Sequence, residues 1–166
     1  MEKEVNNVFL LLGGNLGDIQ SMFKQSKTLI EQHIGQIISQ SKLYQSKAWG
    51  FEASSLFLNQ VLLVTTNYLA PEVLDQTQKI ETELGRIRNP NKIGFESRNI
   101  DIDILYFNDD IINTDSLKIP HYALHERMFT LKPLEEIAPM YVHPRFKKTN
   151  KELLSLCQDH SVVTPV

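Results

Sequence analysis

Runs of apolar residues alternate along the chain with segments whose apolar positions recur at helical spacing. The run VFLLL at 8–12 predicts a buried strand that glycines terminate. The spacing from Asp18 to His33 predicts an amphipathic helix with Asp18 as its N-cap. Gly35 ends this helical pattern, and the segment that contains it, IGQIISQSKLYQS at 34–46, is rich in strand-forming residues. LFLNQVLLVTTN predicts another strand.

The second half of the chain continues the alternation. PEVLDQTQKIETELG predicts a helix that starts at Pro71 and stops at Gly85, and the polar loop RIRNPNKIGFES separates it from the strand NIDIDILYF. DDIINTDSLKIP predicts a turn with a short extended return, and KELLSLCQ predicts a short amphipathic helix. LHERMFTLKPLEEIAP predicts two helical pieces interrupted at Pro133.

The resulting element order, β-α-β-β-α-β, predicts an α+β fold with a ferredoxin-like core. Helices would pack on the sheet, and the C-terminal helices would be additions to that core. No internal repeat or linker divides the sequence, so we expect a single domain over 1–166. This order indicates a fold class and leaves the function open.

Composition narrows the class of protein. The chain has 166 residues, of which 42% are hydrophobic and 22% charged, and its net charge at pH 7 is −3. These values are typical of a soluble globular protein and argue against a nucleic-acid or anionic-membrane binder. Cys157 is the only cysteine, and the apolar run at 8–12 is too short to span a bilayer. We therefore expect a cytoplasmic protein with no nucleic-acid or membrane partner. As a separate expectation, the chain would act as a monomer.

The strand NIDIDILYF carries two carboxylates among isoleucines. Because strand side chains alternate, one face is predicted to hold Ile100, Ile102, Ile104 and Tyr106, and the other Asn99, Asp101, Asp103, Leu105 and Phe107. The strand would be buried at its C-terminal half and open at its acidic start. The acids would lie about 7 Å apart along the strand, and a divalent cation would relieve their repulsion. Carboxylate oxygens are hard ligands that suit Mg²⁺. Taken alone, this pattern also fits an amphipathic strand with two solvated acids.

Arginines near the acidic strand favour a site for phosphate. Arg86 and Arg88 lie in the preceding loop, and Arg98 is just upstream of Asp101. A cluster of cationic and carboxylate side chains at one end of a sheet is suited to binding a phosphate chain together with its metal ion. The glycine-rich stretch LLGGNLGD matches neither phosphate-binding glycine pattern, so it is interpreted as a tight strand-to-helix turn.

Several segments together resemble the 6-hydroxymethyl-7,8-dihydropterin pyrophosphokinase family of folate biosynthesis. The stretch RNIDIDIL at 98–105 is similar to the family signature R-x-x-D-[IL]-D-[IL]-[LM]. IPHYALHERMFTLKPLEEIAP resembles its segment [IV]-P-H-x₅-R-x-F-x-[LM]-x-P-L-x-[ED]-[IL]-A-P. LLGGNLGD, LFLNQVLLVTT and QTQKIETELGRIR resemble its shorter motifs. The resemblance covers nearly the whole chain.

The resemblance implies a Mg²⁺-dependent diphosphotransferase that moves a pyrophosphoryl group from ATP to the hydroxymethyl oxygen of the pterin and releases AMP. It implies Asp101 and Asp103 as ligands of two Mg²⁺ ions, with Arg86 and Arg98 also catalytic. The nucleotide site it implies contains Gln78, Glu81, Arg86, Arg88, Arg98, Ile104, Lys118, His121, Tyr122 and Arg127. The pterin site it implies contains Ser46, Lys47, Trp49, Phe57, Asn59 and Phe129.

The chain departs from the family pattern at a few positions. Phe95 is the nearest aromatic residue to a tryptophan that some members carry in the loop before the signature arginine. Ser116 and Lys118 stand where some members have ATP-contacting Arg and Thr, and Phe57 replaces a tyrosine. We also expect the loop 85–97 to close on bound ATP.

Two other functions stay open at this stage. The D-x-D pair could serve a different Mg²⁺-dependent enzyme, such as a phosphatase or nuclease, whose products would differ. A ferredoxin-like sheet can also be an RNA-binding module, but such modules have a basic face and aromatic RNP1 residues. The acidic balance of this chain and the acids on its best-defined strand argue against RNA binding.

Overall fold

The computed structural model describes residues 4–15, 17–47, 56–85 and 100–166. The strands are β1 (Asn6–Gly14), β2 (Gly35–Gln40), β3 (Tyr44–Ser46), β4 (Phe57–Thr66), β5 (Asp101–Phe107), β6 (Ile112–Asn113), β7 (Lys118–Ile119) and β8 (Thr164–Pro165). The helices are α1 (Ile19–His33), α2 (Ala70–Glu83), α3 (Met128–Ile137) and α4 (Asn150–Leu156), with a 3₁₀ helix at Leu124–Glu126.

The main strands form a mixed α/β architecture around one antiparallel sheet. The strand order is β5-β1-β4-β3-β8, and β2 pairs with β4 alongside β3. β1 therefore lies between β4 and β5, and it pairs antiparallel with both. β6 and β7 form a separate hairpin. No helix in the described ranges has the length and apolar character needed to cross a bilayer.

Helices cover both faces of the sheet, because alternate residues of β1 belong to different hydrophobic clusters. Leu10 packs with residues of α1 and α2 in one cluster. Leu11 packs with residues of α3 and α4 in the other. We call these the α1/α2 face and the α3/α4 face. The predicted packing of helices on a sheet is confirmed.

The helix boundaries follow local signals in the sequence. Asp18 caps α1 as predicted, since its carboxylate accepts the Ser21 backbone N–H at 3.1 Å. Pro71 lies in the first turn of α2. Gly85 follows the end of that helix with φ +93°, a conformation that glycine adopts without steric cost.

A β-bulge in β5 overturns the prediction for its last two side chains. Phe9 is paired with Tyr106 whereas Leu10 is paired with Ile104, so Leu105 is an extra residue on β5. The alternation therefore shifts after Leu105. Tyr106 lies in the α3/α4 cluster and Phe107 in the α1/α2 cluster, each on the face opposite to the predicted one.

The helical break near the C-terminus occurs at Arg127, where the 3₁₀ helix ends and α3 begins, and the prediction of a break at Pro133 is wrong. Pro133 lies inside α3. A proline removes one backbone hydrogen bond from a helix. Leu131 and Leu134, on either side of it, are fully buried on the α3/α4 face, and this packing keeps the helix continuous.

Candidate active site

Asp101 and Asp103 project from the α3/α4 face of β5. Asp103 is paired with Leu11, a member of the α3/α4 cluster, and Asp101 is paired with Gly13. Cross-strand partners share a face, so both acids lie on that side. Both are partly exposed, whereas Ile104–Phe107 are buried. The predicted burial pattern of this strand, open at its acidic start, is confirmed.

His121 lies close to the acids. Its Nε2 is 3.9 Å from Oδ2 of Asp103. Its Nδ1 accepts the Ala123 backbone N–H at 3.2 Å, which assigns the proton of the neutral ring to Nε2. Burial lowers the pKa of His121 to about 4, helped by the charge of Arg127 and opposed by Asp101. At pH 7 His121 is therefore a neutral hydrogen-bond donor beside the acid pair.

Aromatic rings continue from His121 toward α3. The rings of His121 and Tyr122 stack with centroids 4.7 Å apart. The Arg127 guanidinium carbon lies 5.9 Å from the Tyr122 ring centroid and 5.6 Å from that of Phe129. These distances suit cation–π contact, and Arg127 is only 8% exposed. Arg127 thus connects the acidic end of the site to Phe129.

Glu81 supports β5 from the α1/α2 face. Its side chain is 3% exposed, and its Oε2 accepts the backbone N–H of Ile102 at 2.9 Å. Ile102 lies between Asp101 and Asp103, so a buried carboxylate of α2 is hydrogen-bonded to the backbone that carries both acids. Gln78, one turn earlier on α2, is exposed.

Asn59 occupies the same face two strands away from Asp101. Gly13 is paired with Asn59 on one side and with Asp101 on the other. Asn59 is 5% exposed, and its Nδ2 donates to the Leu12 carbonyl at 3.3 Å. A Cβ atom at position 13 would lie 2.7 Å from that Nδ2. The absence of a side chain at Gly13 thus leaves room for the Asn59 amide.

The neighbouring strand β3 holds other residues of the implied pterin site. Ser46 is paired with Phe57, and Tyr44 is paired with Asn59. The Tyr44 hydroxyl donates to the Glu136 carboxylate at 2.6 Å, which ties β3 to α3. Sequence reasoning missed this bond, since neither residue belongs to a recognisable pattern. Phe129, near the start of α3, packs against the α3/α4 cluster.

Other implied site residues have different surroundings. The Ile104 side chain is buried in the α1/α2 cluster, so only its backbone is available to a nucleotide. The Lys118 ammonium donates to Oδ1 of Asn113 at 2.7 Å and to the Thr114 carbonyl at 3.1 Å. Lys47 and Ser116 are exposed. Their contacts with substrates stay predictions.

Part of the implied site lies outside the described residues: Arg86, Arg88, Arg98 and Trp49. Phe95, one of the departures from the family pattern, lies outside them as well. The predicted closure of the loop 85–97 concerns the same part of the chain. Within the described ranges, no three His, Cys, Asp or Glu side chains form a group that could hold a metal ion.

Carboxylates, a neutral histidine and a guanidinium at one end of a sheet are groups suited to an enzyme that handles phosphate. The family model for 7,8-dihydro-6-hydroxymethylpterin-pyrophosphokinase (HPPK) matches residues 9–139. The chain belongs to this family.

Individual relatives agree with the family match. A 2-amino-4-hydroxy-6-hydroxymethyldihydropteridine pyrophosphokinase of Aquifex aeolicus is 41% identical over 145 residues, covering 87% of this chain and 88% of the relative. One of Bacillus subtilis is 37% identical over 135 residues, covering 80% and 79%. The crystal structure of wild-type Plasmodium falciparum HPPK-DHPS superposes with TM-score 0.72 over 93% of this chain and 45% of that chain, at 18% identity. That structure supports the fold alone, and this chain spans less than half of it.

Proposed function

We propose that the residues on the α3/α4 face carry out the family's reaction in this chain, with Mg²⁺ held by Asp101 and Asp103. As a family member, the chain transfers a pyrophosphoryl group from ATP to the hydroxymethyl group of 6-hydroxymethyl-7,8-dihydropterin in folate biosynthesis. The observation that carries the site assignment is the shared face of the two acids, with His121 beside them.

The donor set at Asp101 and Asp103 fits Mg²⁺. Both groups are partly exposed carboxylates, and Mg²⁺ favours a few carboxylate ligands completed by water and phosphate oxygens. Two ions, as the resemblance implies, would be shared between this pair and the triphosphate. When bound, the metal would neutralise phosphate charge and align the reacting oxygens.

The nucleotide would lie with its phosphates near the acids, His121 and Arg127. The Nε2–H of His121 would donate to a phosphate oxygen, and the Arg127 guanidinium would balance its charge. The Ile102 N–H points away from β1 and donates to Glu81. Backbone groups alternate in direction along an antiparallel strand, so those of Ile104 point to the same side, the edge of the sheet that β5 forms. That backbone could hydrogen-bond an adenine ring.

The pterin would occupy the region between β3, β4 and α3. The described rings of Phe57 and Phe129 would pack against its flat faces. In the described part of the chain, Asn59 makes one hydrogen bond through Nδ2, so its carbonyl oxygen and second N–H can pair with the amide-like edge of the pterin. The Ser46–Lys47 backbone would supply further partners.

In the reaction, the hydroxymethyl oxygen attacks the β-phosphorus of ATP and loses its proton to solvent. The bond from the β-phosphorus to the oxygen shared with the α-phosphorus breaks, and AMP leaves with that oxygen. Such transfers depend on in-line positioning and charge stabilisation more than on a general base. Arg86 and Arg98 would stabilise the charge on AMP.

The finer fold and cellular assignments belong to the same proposal. The order β5-β1-β4 followed by β2 and β3 supports a ferredoxin-like core. One sheet shared by both hydrophobic clusters supports a single domain. A lone buried cysteine, Cys157, supports a reducing, cytoplasmic location. We expect the chain to act as a monomer.

Product analysis tests the proposed function. ATP, Mg²⁺ and the reduced pterin should give AMP and the pterin diphosphate ester in equal amounts, and ATP should stay intact without the pterin. Release of ADP or phosphate without the pterin would instead indicate a phosphatase. Omission of Mg²⁺ should abolish AMP formation, and full activity in EDTA would contradict the metal assignment.

A further inference from the structure

The C-terminal segment Asp159–Val166, which we call the C-terminal strap, contacts both walls of the proposed pterin site. The strap lies beyond residues 9–139, the part of the chain that the family model matches. Sequence analysis predicted no element there. In the structure it contains β8 and a buried side chain, Val163, which is 2% exposed.

One end of the strap meets the start of α3. Arg127, the N-cap residue of α3, makes no side-chain capping hydrogen bond. Oδ2 of Asp159 accepts the Met128 backbone N–H at 2.9 Å instead. The strap therefore satisfies a free N–H of the first helical turn with a charged acceptor, as a local cap would. Phe129 is the next residue of this turn.

The Asp159 carboxylate is itself held in place. Its Oδ1 accepts the Ser161 backbone N–H at 2.9 Å, and it also accepts the Ser161 hydroxyl. Burial opposes ionisation of Asp159, but the hydrogen bonds from Ser161 and Met128 outweigh it and lower the pKa below its usual value. Asp159 is therefore charged and oriented at neutral pH.

The other end of the strap extends the sheet. β8 pairs antiparallel with β3, with Thr164 opposite Gln45, and the Val166 N–H donates to the Leu43 carbonyl at 2.8 Å. Between the two ends, the Lys132 ammonium of α3 donates to the Val163 carbonyl at 3.0 Å. The strap thus bonds α3 near Phe129 and β3 just before Ser46.

We propose that the C-terminal strap positions the pterin side of the site, with Asp159 as a positioning residue for Phe129. This inference rests on the proposed placement of the pterin between β3 and α3. Loss of the Asp159 hydrogen bond would free the first turn of α3 and weaken pterin binding. Arg127, on the nucleotide side of this turn, is buried and is held separately by its contact with the Tyr122 ring, so the nucleotide phosphates would be less affected than the pterin.

The test compares Asp159→Ala, Asp159→Asn and the exposed control Asp75→Ala in the AMP-forming assay. Asp159→Ala should raise the KM for the pterin roughly fivefold, the typical effect of a lost helix cap, and leave the KM for ATP within about twofold. Asp159→Asn keeps an oxygen acceptor and should recover at least half of this loss. Asp75→Ala should match the wild type.

Thermal unfolding curves show whether each variant is folded at the temperature of the assay. A folded Asp159→Ala with an unchanged pterin KM would overturn the inference, as would equal rises in both KM values. An Asp159→Asn variant as impaired as Asp159→Ala would also overturn it. A wild-type chain that forms no AMP with the pterin would instead mean that the proposed function fails. If Asp159→Ala is not folded at the assay temperature, Lys132→Met takes its place. This variant removes the neighbouring bond to Val163, and its two KM values are measured in the same way.

Discussion

The Ile102 backbone N–H donates to the Glu81 carboxylate at 2.9 Å, so a buried acid of α2 is bonded to β5 between its two partly exposed acids. Glu81 lies on the opposite side of the strand from the proposed metal ligands. Its bond fixes the backbone from which Asp101 and Asp103 project. Removing Glu81 should therefore disturb both stability and activity.

We predict that Glu81→Ala lowers the free energy of unfolding by about 2 kcal/mol, because it leaves a buried N–H without its carboxylate partner. Urea unfolding measures the change. Glu83→Ala removes an exposed acid of the same helix and should change the free energy by less than about 0.5 kcal/mol. Equal effects of the two substitutions would contradict a role for the Ile102 bond.

Substitution of the acid pair should separate activity from stability. Asp101→Asn or Asp103→Asn should reduce AMP formation at least about 100-fold, since phosphate charge would lose its metal-mediated compensation. Thermal stability should hold or rise, because two like charges on one strand face repel. Asp110→Asn, an exposed acid beyond the end of β5, is the control and should keep wild-type activity. Near-normal rates in both site variants would refute the metal assignment.

Two glycine substitutions should affect different properties: Gly13→Ala mainly pterin binding, and Gly35→Ala mainly the stability of the fold. Gly13→Ala places a Cβ atom 2.7 Å from the Asn59 side chain, which can move, so stability should fall by only about 1 kcal/mol. The displaced amide should weaken pterin binding roughly tenfold, the equivalent of one lost hydrogen bond. Gly35→Ala places a Cβ atom 1.8 Å from the Thr65 backbone carbonyl, so it should destabilise the fold by about 3 kcal/mol or more.

Calorimetric titration with the pterin, in the presence of an ATP analogue, measures the change in pterin affinity. Denaturant unfolding measures the stability of both variants. Wild-type pterin affinity in Gly13→Ala would show that the Asn59 amide is not a pterin contact. Gly35→Ala protein that remains folded should bind the pterin normally, because β2 lies away from the proposed site.

Stability should fall in mild acid because of His143. This residue is 2% exposed, and its Nδ1 accepts the Arg145 and Phe146 backbone N–H groups at 3.2 and 3.1 Å. Burial lowers the pKa of His143 to about 4, with added effects from His125 and Arg145. In the unfolded chain the pKa is about 6.5, so the unfolded state binds more protons between these values.

The direction of the pH dependence of stability follows from this difference in pKa. The neutral folded histidine contributes full stability above pH 6.5, and the contribution declines as the pH falls toward 4, by about 2 kcal/mol between pH 7.5 and pH 5. His143→Asn keeps a side-chain acceptor but does not titrate. Urea unfolding at pH 7.5, 6 and 5 should show a smaller decline for the variant. Parallel declines in both proteins would exclude His143 as the source.

Local signals predicted most helices and strands correctly, whereas contacts between distant segments escaped prediction. The Asp18 cap and the Gly85 stop depend on neighbouring residues and could be read directly. The bulge at Leu105 could not, because Leu105, Tyr106 and Phe107 are all apolar and suit either face. β8 formed no recognisable pattern, since its two residues become a strand only through pairing with β3.

The site shows the same division. The spacing of Asp101 and Asp103 predicted a shared face, and the structure places them on one. The bond from Ile102 to Glu81 joins residues from different elements, and no sequence spacing indicates it. The alignment of Asn59, Gly13 and Asp101 across three strands depends on pairing register, which the individual strand patterns leave undetermined.

Calorimetry with a non-hydrolysable ATP analogue tests the metal assignment most directly. The wild-type chain should bind the analogue at least about tenfold more tightly with Mg²⁺ than with EDTA, and the Asp101→Asn/Asp103→Asn double variant should lose that difference. Circular dichroism confirms that the double variant is folded. A folded double variant that retains the full effect of Mg²⁺ would contradict the assignment of these acids as the metal ligands.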